Sequence, residues 1–422
     1  MAATNTHDAI ETVFRIERVR LIAGLARMVR DVGLAEELAQ DALVTALSEW
    51  PKTGVPRNPG AWLMAAAKRR AVDGFRRTKM LARKHAELVR DLEDEQDTSV
   101  EDIESAMDDD IGDELLSLIF VACHPVLSTE ARAALTLRLI GGLTTGEIAR
   151  AFLSNEATIA QRIVRAKKTL GNARLTFEVP RGKERHERIG SVLEVIYLIF
   201  NEGYAATAGQ DLIRPALCGE AQRLGRILAG LAPEEPEVFG LLALMEIQAS
   251  RLAARTGPDG SLVPLTEQNR ARWDRVLIRS GLAALERAEA LGGADGPYAL
   301  QAALAACHAR ARNAEETDWH QIAGLYDRLQ AVLPSPVIDL NRAVAYSMAF
   351  GPEVGLTLLE GIDRSTILRN YAPLPAAFGD FLFRAGRLSE ARTHFERAAD
   401  LTSNEREKAF LLRRAAACVD GR

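Results

Sequence analysis

Apolar residues along the chain recur mostly at the three- and four-residue spacing of amphipathic helices. Near the N-terminus this spacing predicts one helix over residues 10–29 and a second from Leu34 to Trp50, with a break at Asp31-Val32-Gly33 between them. Prolines and glycines then predict a rigid loop before a third helix over residues 61–78. In the second helix, the face expected to point inward consists of Leu34, Leu38, Ala42 and Thr45.

The same pattern divides the chain into four stretches. Residues 8–90 and 113–178 are predicted to be helical, residues 91–112 form an acidic linker, and residues 185–422 form a long Ala- and Leu-rich helical array. Apolar residues make up 47% of the chain and aromatic residues only 5%, which provides a core and favours helix over sheet. We therefore predict an all-α protein in which two small helical domains precede a helical-repeat array.

Charge is distributed unevenly along this sequence. The net charge of −5 argues against a nucleic-acid binder, but Lys52–Arg90 contains eleven basic and two acidic residues. The following stretch, Asp91–Glu114, contains thirteen acidic residues and no basic ones. Such local asymmetry steers polyanions more than the total charge does. The acidic block is expected to be a solvated tether, and the alternative is a segment that mimics nucleic acid inside a basic channel.

The chemistry-bearing residues do not form an enzyme signature. The sequence has no P-loop, dinucleotide-binding glycine pattern, HExxH motif or nucleophile elbow, so we expect no catalytic residues and no cofactor. Four cysteines lack CxxC or metal-ligand spacing, which predicts no metal site and buried reduced thiols. A metal or redox role for the adjacent Cys123 and His124 is the alternative.

The location expected from the sequence is cytoplasmic. The N-terminus lacks the basic-then-apolar order of a signal peptide, and no apolar run reaches the ~18 residues of a membrane span. Reduced thiols fit the same compartment.

The segment Leu143–Leu170 predicts a helix-turn-helix. Thr144 and Glu147 have the spacing of a capping box for the first helix, and Asn155 can cap the second. Ile148, Ala149 and Phe152 are expected to pack inward, as is the stripe Ile159, Ile163, Ala166 and Leu170. A surface hairpin with solvated Arg and Lys is the alternative. If the second helix enters a major groove, the DNA-contacting residues are Glu156, Thr158, Gln161, Arg162, Arg165 and Lys168.

A second candidate DNA-binding element is the basic helix over Asn58–Arg77. Its Pro- and Gly-rich approach can hold an unstacked base, while its basic face can hold backbone phosphates. A charged amphipathic helix without a DNA role is the alternative. The predicted DNA-binding residues are Trp62, Lys68, Arg69, Arg70, Arg76 and Arg77.

In order and spacing, these pieces resemble the extracytoplasmic-function sigma factors over residues 8–178. Ala35–Trp50 resembles the family's polymerase-binding helix, Pro59–Arg77 its −10 helix, and Leu143–Leu170 its −35 helix-turn-helix. Arg69 and Leu153 depart from the family's usual Asn and Gly. The resemblance implies core RNA polymerase and promoter DNA as partners. It also implies polymerase contacts by Glu36, Glu37, Gln40 and Asp41.

The C-terminal array resembles the tetratricopeptide-like tail carried by one subgroup of that family. Arg384–Leu401 looks like a half-repeat with small Ala391 and Ala398 and with Phe395 and Leu401 filling the groove. A comparable unit, Pro336–Leu359, precedes it by about one period. Stacked helix pairs provide a concave surface for a protein or peptide partner.

One polar segment interrupts an apolar helix in this part of the chain. Asn201-Glu202-Gly203-Tyr204 predicts helix termination with Gly203 at the C-cap, and the alternative is a contact to another domain or ligand.

Two other functions remain open on the sequence. The first is a helix-turn-helix regulator with a repeat-protein sensor that acts without polymerase; the helix Ala35–Trp50 distinguishes it from a sigma factor. The second is a tetratricopeptide scaffold or co-chaperone, which leaves the helix-turn-helix and the basic helix unexplained.

Overall fold

A computed structural model describes residues 2–86, 111–152, 154–173, 175–204, 213–258, 261–362, 368–402 and 404–420. Within these ranges, the side chains of residues 2–9, 11, 15, 77–86 and 111–112 are not described. Most of the predicted acidic linker and Leu153 therefore lie outside the described residues. Two compact units divide the chain, Met1–Val195 and Ile196–Arg422.

The predicted all-α fold is confirmed over the described residues, where the β structure is one isolated bridge between Thr256 and Leu262. In the first unit, α2 and α3 pack against α1 and against each other, and α4 packs against α1 and α5. The helices of this unit are α1 Ala2–Val29, α2 Val32–Thr53, α3 Pro59–Ala86, α4 Ile111–Ala122, α5 Thr129–Leu139, α6 Thr145–Ala151, α7 Glu156–Asn172 and the beginning of α8 Gly182–Tyr204. Because α4 begins at Ile111, the last two residues of the predicted linker are helical.

Helix α2 begins at Val32, two residues before the predicted start at Leu34. Asp31 is an N-cap whose side chain accepts a hydrogen bond from Leu34 N at 2.8 Å, so Gly33 belongs to the helix. The buried stripe is centred on Ala35, Ala39, Ala42 and Ala46. Leu34 lies outside that stripe and is 36% exposed, so its predicted inward orientation is wrong. Leu38 and Ala42 are buried, as predicted.

The loop between α2 and α3 is shorter than predicted. Pro51 lies inside α2, and the helix ends at Gly54, whose φ of 85° is accessible to glycine at little cost. Pro59 occupies the first turn of α3, where its missing N–H costs no hydrogen bond. The connection consequently spans only residues 54–58 and fixes α3 closely beside α2.

The second unit is a succession of helices in which neighbours along the chain pack together, such as α13 with α14 and α16 with α17. It contains the end of α8 and α9 Pro215–Leu231, α10 Pro236–Ala249, α11 Arg275–Ala290, α12 Pro297–Arg310, α13 Trp319–Val332, α14 Pro336–Phe350, α15 Pro352–Ile362, α16 Pro373–Arg384, α17 Leu388–Leu401 and α18 Glu405–Asp420. Among the described helices of the chain, none is both long and apolar enough to cross a membrane.

Small residues lie where α16 and α17 pack against each other. Ala391 and Ala398 are fully buried and Phe395 is 2% exposed, as predicted, whereas Leu401 is only half-buried. A Cβ added to Gly379 would lie 2.8 Å from the ring of Phe395, so the absence of a side chain there permits this contact.

Gly203 has a different role from the predicted C-cap. It lies within α8, where an added Cβ would come within 2.8 Å of Leu217 Cβ and of the backbone nitrogen of Cys218. Glycine is therefore required for close packing of α8 on α9. The helix runs one residue beyond it, to Tyr204, so Gly203 is a helical residue and not the predicted C-cap.

Candidate nucleic-acid interface

Both helices of the helix-turn-helix, α6 and α7, have a side-chain cap at their N-terminus. Thr144 Oγ1 accepts from Glu147 N at 3.2 Å, and Glu147 Oε2 accepts from Thr144 N at 2.8 Å, which confirms the capping box. The bond from the Thr144 backbone holds the pKa of Glu147 below its ordinary value. Asn155 Oδ1 accepts from Thr158 N at 2.7 Å and so caps α7 as predicted.

Helix α7 has one buried and one exposed face. Ile159, Ile163, Ala166 and Leu170 are all buried, as predicted, and Ile148 and Ala149 of α6 are buried beneath them. Phe152 is only half-buried. The opposite face presents the predicted DNA-contacting side chains: Glu156, Thr158, Gln161, Arg165 and Lys168 are exposed, and Arg162 is half-buried.

Seventeen residues give α7 a length of about 25 Å, enough to lie along a major groove. Its polar face combines hydrogen-bonding groups near the N-terminus with cations further along. An α-helix in a major groove uses such groups to contact base edges and phosphates.

A second exposed basic surface lies on α3. Arg69, Arg70 and Arg76 are exposed and Lys68 is half-buried, while the side chain of Arg77 lies outside the described residues. Trp62 is half-buried, and its ring packs edge-on against Trp50 with centroids 5.2 Å apart at 67°. This contact fixes the first turn of α3 against the end of α2 and leaves part of the indole accessible.

The outer face of α2 carries the predicted polymerase contacts. Glu37 and Gln40 are exposed, and Asp41 forms an ion pair with Arg70 of α3. Val44, which sequence reasoning missed, is 60% exposed one turn after Gln40. The sequence spacing could have predicted this exposed valine, since positions 37, 40 and 44 share one helix face.

Glu36 is the exception among these residues. Its side chain is 5% exposed, and it contacts Arg18 Nη2 at 3.0 Å, Arg138 Nε at 2.9 Å and Lys167 Nζ at 2.5 Å. Burial acts to raise the pKa of Glu36, but Lys167 first, and then Arg138 and Arg18, hold it below its ordinary value. Glu36, predicted as a polymerase contact, is therefore not on the exposed face of α2, because cations of its own chain surround the carboxylate.

The cations around Glu36 come from three helices. Arg18 lies on α1, Arg138 on α5 and Lys167 on α7. No local spacing in the sequence relates these positions to Glu36, so only the tertiary fold reveals the cluster.

Of the adjacent Cys123 and His124, the cysteine is buried in the core and the histidine is half-buried. Cys123 is buried beside Thr136 Oγ1 at 3.3 Å, and burial raises the pKa of its thiol to about 11. His124 Nδ1 accepts from Val126 N, and burial beside Arg188 lowers the pKa of His124 to about 4. An uncharged thiol is a poor nucleophile and metal ligand. Among the described residues, no group of three His, Cys, Asp or Glu side chains is arranged to hold a metal ion.

The polar segment at the end of α8 is used within the second unit. Glu202 pairs with Arg214 at 2.5 Å, and the Tyr204 hydroxyl accepts from Arg251 at 2.7 Å. The guanidinium of Arg255 lies 3.9 Å from the centre of the Tyr204 ring. These contacts fasten α8 to α9 and to the irregular segment after α10.

Comparison with known proteins separates the chain into three matched parts. Residues 14–80 match the sigma-70 region 2 family, and residues 117–170 match sigma-70 region 4. Residues 188–289 match a family of unknown function, DUF6596.

Two groups of relatives share different lengths of the chain. An uncharacterized protein of Rhizobium meliloti (strain 1021), R00370, is 41% identical over 395 residues, which cover 93% of this chain and 92% of that protein. The RNA polymerase sigma factors SigK of Mycobacterium sp. (strain KMS) and Mycobacterium ulcerans (strain Agy99) are 29% and 28% identical. These matches cover 37% and 40% of this chain, and 78% and 88% of the SigK proteins.

Regions 2 and 4 together, on α1–α3 and α4–α7, define the class: this is a sigma-70-type factor of transcription initiation. Within that class, the chain belongs to the same family as the Rhizobium meliloti protein R00370, with which it shares nearly its full length.

Proposed function

We propose that this protein is an extracytoplasmic-function sigma factor of the cytoplasm that binds core RNA polymerase and directs promoter-specific initiation. The observation that carries the proposal is the joint presence, in one compact unit, of an exposed polar face on α2, a basic face on α3 and a capped recognition helix α7. A regulator that acts without polymerase needs the third surface but has no use for the first.

The two DNA-reading surfaces have different tasks in this proposal. Helix α7 enters the major groove of the −35 element, where Gln161 and Arg165 contact base edges and Lys168 neutralises phosphate. On α3, Arg69, Arg70 and Arg76 hold the backbone of the −10 element while its bases unstack near Trp62. Unstacking costs a few kcal/mol per base, which contacts to the separated strand offset.

Polymerase docking is assigned to the outer face of α2. Glu37 and Gln40 are free to contact the polymerase, and Val44 adds an exposed apolar group between polar neighbours. Interfaces of this kind combine an apolar centre with a polar rim. Glu36 is left out of this surface because its carboxylate is already paired.

The second unit is assigned a regulatory role through a protein or peptide partner. Packing of successive helices from α13 to α18, with small residues at the crossings, supports a tetratricopeptide-like array. Titrating candidate peptides into a transcription reaction measures whether the partner inhibits or enables initiation.

Binding to purified core polymerase tests the proposal. Gln40→Ala combined with Val44→Ala is expected to weaken the complex roughly tenfold or more, because the two substitutions remove side-chain contacts at the centre of the interface. The matched control is Val276→Ala, which removes an equally exposed valine, 65% accessible, from α11. Tight binding to duplex DNA without any affinity for polymerase would instead favour the helix-turn-helix regulator.

A further inference from the structure

Three arginines of the second unit gather around two aromatic rings. The guanidinium of Arg255 lies 3.9 Å from the centre of the Tyr204 ring. Arg251 is shared by two rings, since its guanidinium lies 5.9 Å from the centre of both Tyr204 and Trp273. The guanidinium of Arg270 lies 5.1 Å from the centre of the Trp273 ring. We call Arg251, Arg255 and Arg270 the arginine row.

The irregular segment between α10 and α11 folds back on itself to bring these side chains together. A backbone bridge between Thr256 and Leu262 reverses the chain directly after the first two arginines. Asp274 N then donates to Ser250 O at 2.9 Å, which returns Trp273 to the end of α10. Backbone contacts therefore fix the positions from which the row projects.

The positive charge of the row has no carboxylate directly beside it. Within the described parts of the chain, none of the three arginines forms an ion pair with an Asp or Glu side chain. Glu407 acts on Arg255 from beyond ion-pair distance. Glu315 and Glu316 act on Arg270 in the same way. Cations that share two rings repel one another, so an anion among them would stabilise the arrangement.

Most hydrogen-bond donors of the two half-buried arginines are not used by the protein. A guanidinium has five N–H donors. Arg251 donates to the Tyr204 hydroxyl at 2.7 Å, and Arg255 donates to the Tyr204 carbonyl oxygen. The described residues provide no further acceptor for either side chain, and Arg251 Nε is buried without a partner. The remaining donors match the paired oxygens of a phosphate or a carboxylate.

Arg270 and Trp273 form the deeper end of the cluster, at 7% and 3% exposure. The guanidinium of Arg270 is held by the carbonyl oxygens of His308 and Ala311 and by Thr317 Oγ1. Arg270 Nε and the indole Nε1 of Trp273 are nevertheless buried without a hydrogen-bond partner among the described residues. A buried donor without an acceptor destabilises the fold, and an oxyanion would provide the acceptor.

The positive field of the row also acts on His308. Burial, followed by Arg251 and Arg270, lowers the pKa of His308 to about 4. The imidazole is therefore uncharged at neutral pH, and the guanidinium groups remain the dominant charges of this cluster.

We propose that the arginine row is a binding site for a small polyanion that presents phosphate or carboxylate oxygens at more than one point. Arg251 and Arg255, which are half-buried, hold the anionic group nearer to solvent. A second anionic group lies nearer to Trp273. The site falls within residues 188–289, the part of the chain matched by DUF6596, and does not depend on the proposed role in transcription initiation.

Isothermal titration calorimetry of the full chain with sodium pyrophosphate tests this site, with the ionic strength held constant by sodium chloride. Saturable binding to a single site is expected. Sodium citrate is titrated in the same way to provide carboxylates without phosphate. Binding of citrate but not of pyrophosphate would support the site and assign its ligand to the carboxylates. Absence of saturable binding of both anions overturns the proposal.

Substitutions separate the row from the other basic surfaces of the chain. Arg251→Ala and Arg255→Ala are each expected to weaken binding roughly tenfold or more, since each removes a charged donor group from the ligand. The matched control is Arg279→Ala, which removes an exposed arginine of α11 and should leave the affinity unchanged.

A conservative variant distinguishes loss of the site from loss of the fold. Arg255→Lys keeps the positive charge but loses the planar pair of donors, so it is expected to weaken binding severalfold while the circular dichroism spectrum stays that of the wild type. Affinity equal to that of the wild type in the Arg251 and Arg255 variants would overturn the assignment of the anion to this row.

Discussion

Arg70 of α3 and Asp41 of α2 form an ion pair with side chains 48% and 49% exposed. One residue is assigned to promoter DNA and the other to polymerase, so this ion pair lies where the two proposed surfaces adjoin. Exposed pairs of this kind contribute at most about 1 kcal/mol to stability, so the pair can be exchanged for contacts to either partner.

Asp41→Asn is expected to release Arg70 while changing thermal stability little, by less than about 1 kcal/mol. Affinity for a non-specific single strand should rise modestly, since Arg70 no longer has an intramolecular carboxylate partner. Fluorescence anisotropy at two salt concentrations measures this effect. Glu49→Gln, an exposed acid of the same helix, is the matched control; equal affinities in both variants would show that Asp41 does not restrain Arg70.

The recognition helix allows a distinction between base contacts and phosphate contacts. Gln161→Ala and Arg165→Ala are each expected to cost about 1–3 kcal/mol of binding to the preferred −35 duplex and to relax its base preference. Lys168→Ala should weaken all sequences similarly and reduce the salt slope by about 1. Binding to a randomised duplex library, read by sequencing, separates these outcomes. Uniform loss in all three variants would contradict the assignment of base contacts.

The capping box predicts a pH-dependent local stability. Thr144→Ala should destabilise α6 by about 1 kcal/mol at pH 7, measurable as faster amide hydrogen exchange at Ile148 and Ala149. Glu147→Gln keeps an acceptor but loses the negative charge at the helix N-terminus, so it should destabilise α6 by about 0.3–1 kcal/mol. Since the folded pKa of Glu147 is depressed, its contribution is present above the ordinary value of 4.5 and is lost as pH falls through the folded pKa.

The difference in exchange between wild type and Glu147→Gln should therefore shrink toward acid pH. Thr169→Ala on the exposed face of α7 serves as a control without a cap. A difference that persists unchanged below the folded pKa would refute the role given to the carboxylate.

Two glycines of the second unit should respond oppositely to alanine. Gly379→Ala places a methyl group against Phe395 and is expected to cost about 1–3 kcal/mol. Gly324→Ala, inside α13 with no atom within 4 Å of the added group, should stabilise by about 0.5–1 kcal/mol. Thermal unfolding of the full chain measures both; a neutral Gly379→Ala would mean that α16 and α17 pack less closely than described.

The sequence predicted correctly those features whose residues all lie within one short segment. The helix-turn-helix was predictable because its caps, buried stripe and polar face all lie within 28 residues, and each is confirmed by a contact or by burial. Ala391, Phe395 and Ala398 were predictable for the same reason, since their spacing defines one helix face.

Two features of the structure depend on distant contacts that the sequence does not show. Glu36 has the spacing of a surface residue on α2, yet residues 18, 138 and 167 bury its charge. Gly203 lies one residue before the end of α8, and its close contacts, Leu217 and Cys218, come from the next helix. In both cases the deciding atoms are supplied by another element, and periodicity within one element contains no information about them.

Promoter-dependent run-off transcription is the most direct test of the central claim. Purified core polymerase is supplied with a library of promoter fragments, with and without the full-length protein, and the transcripts are sequenced. The account predicts defined start sites that require the protein and that weaken with Gln161→Ala or Arg165→Ala but not with Val276→Ala. Absence of protein-dependent transcripts, despite binding of the protein to duplex DNA, would contradict it.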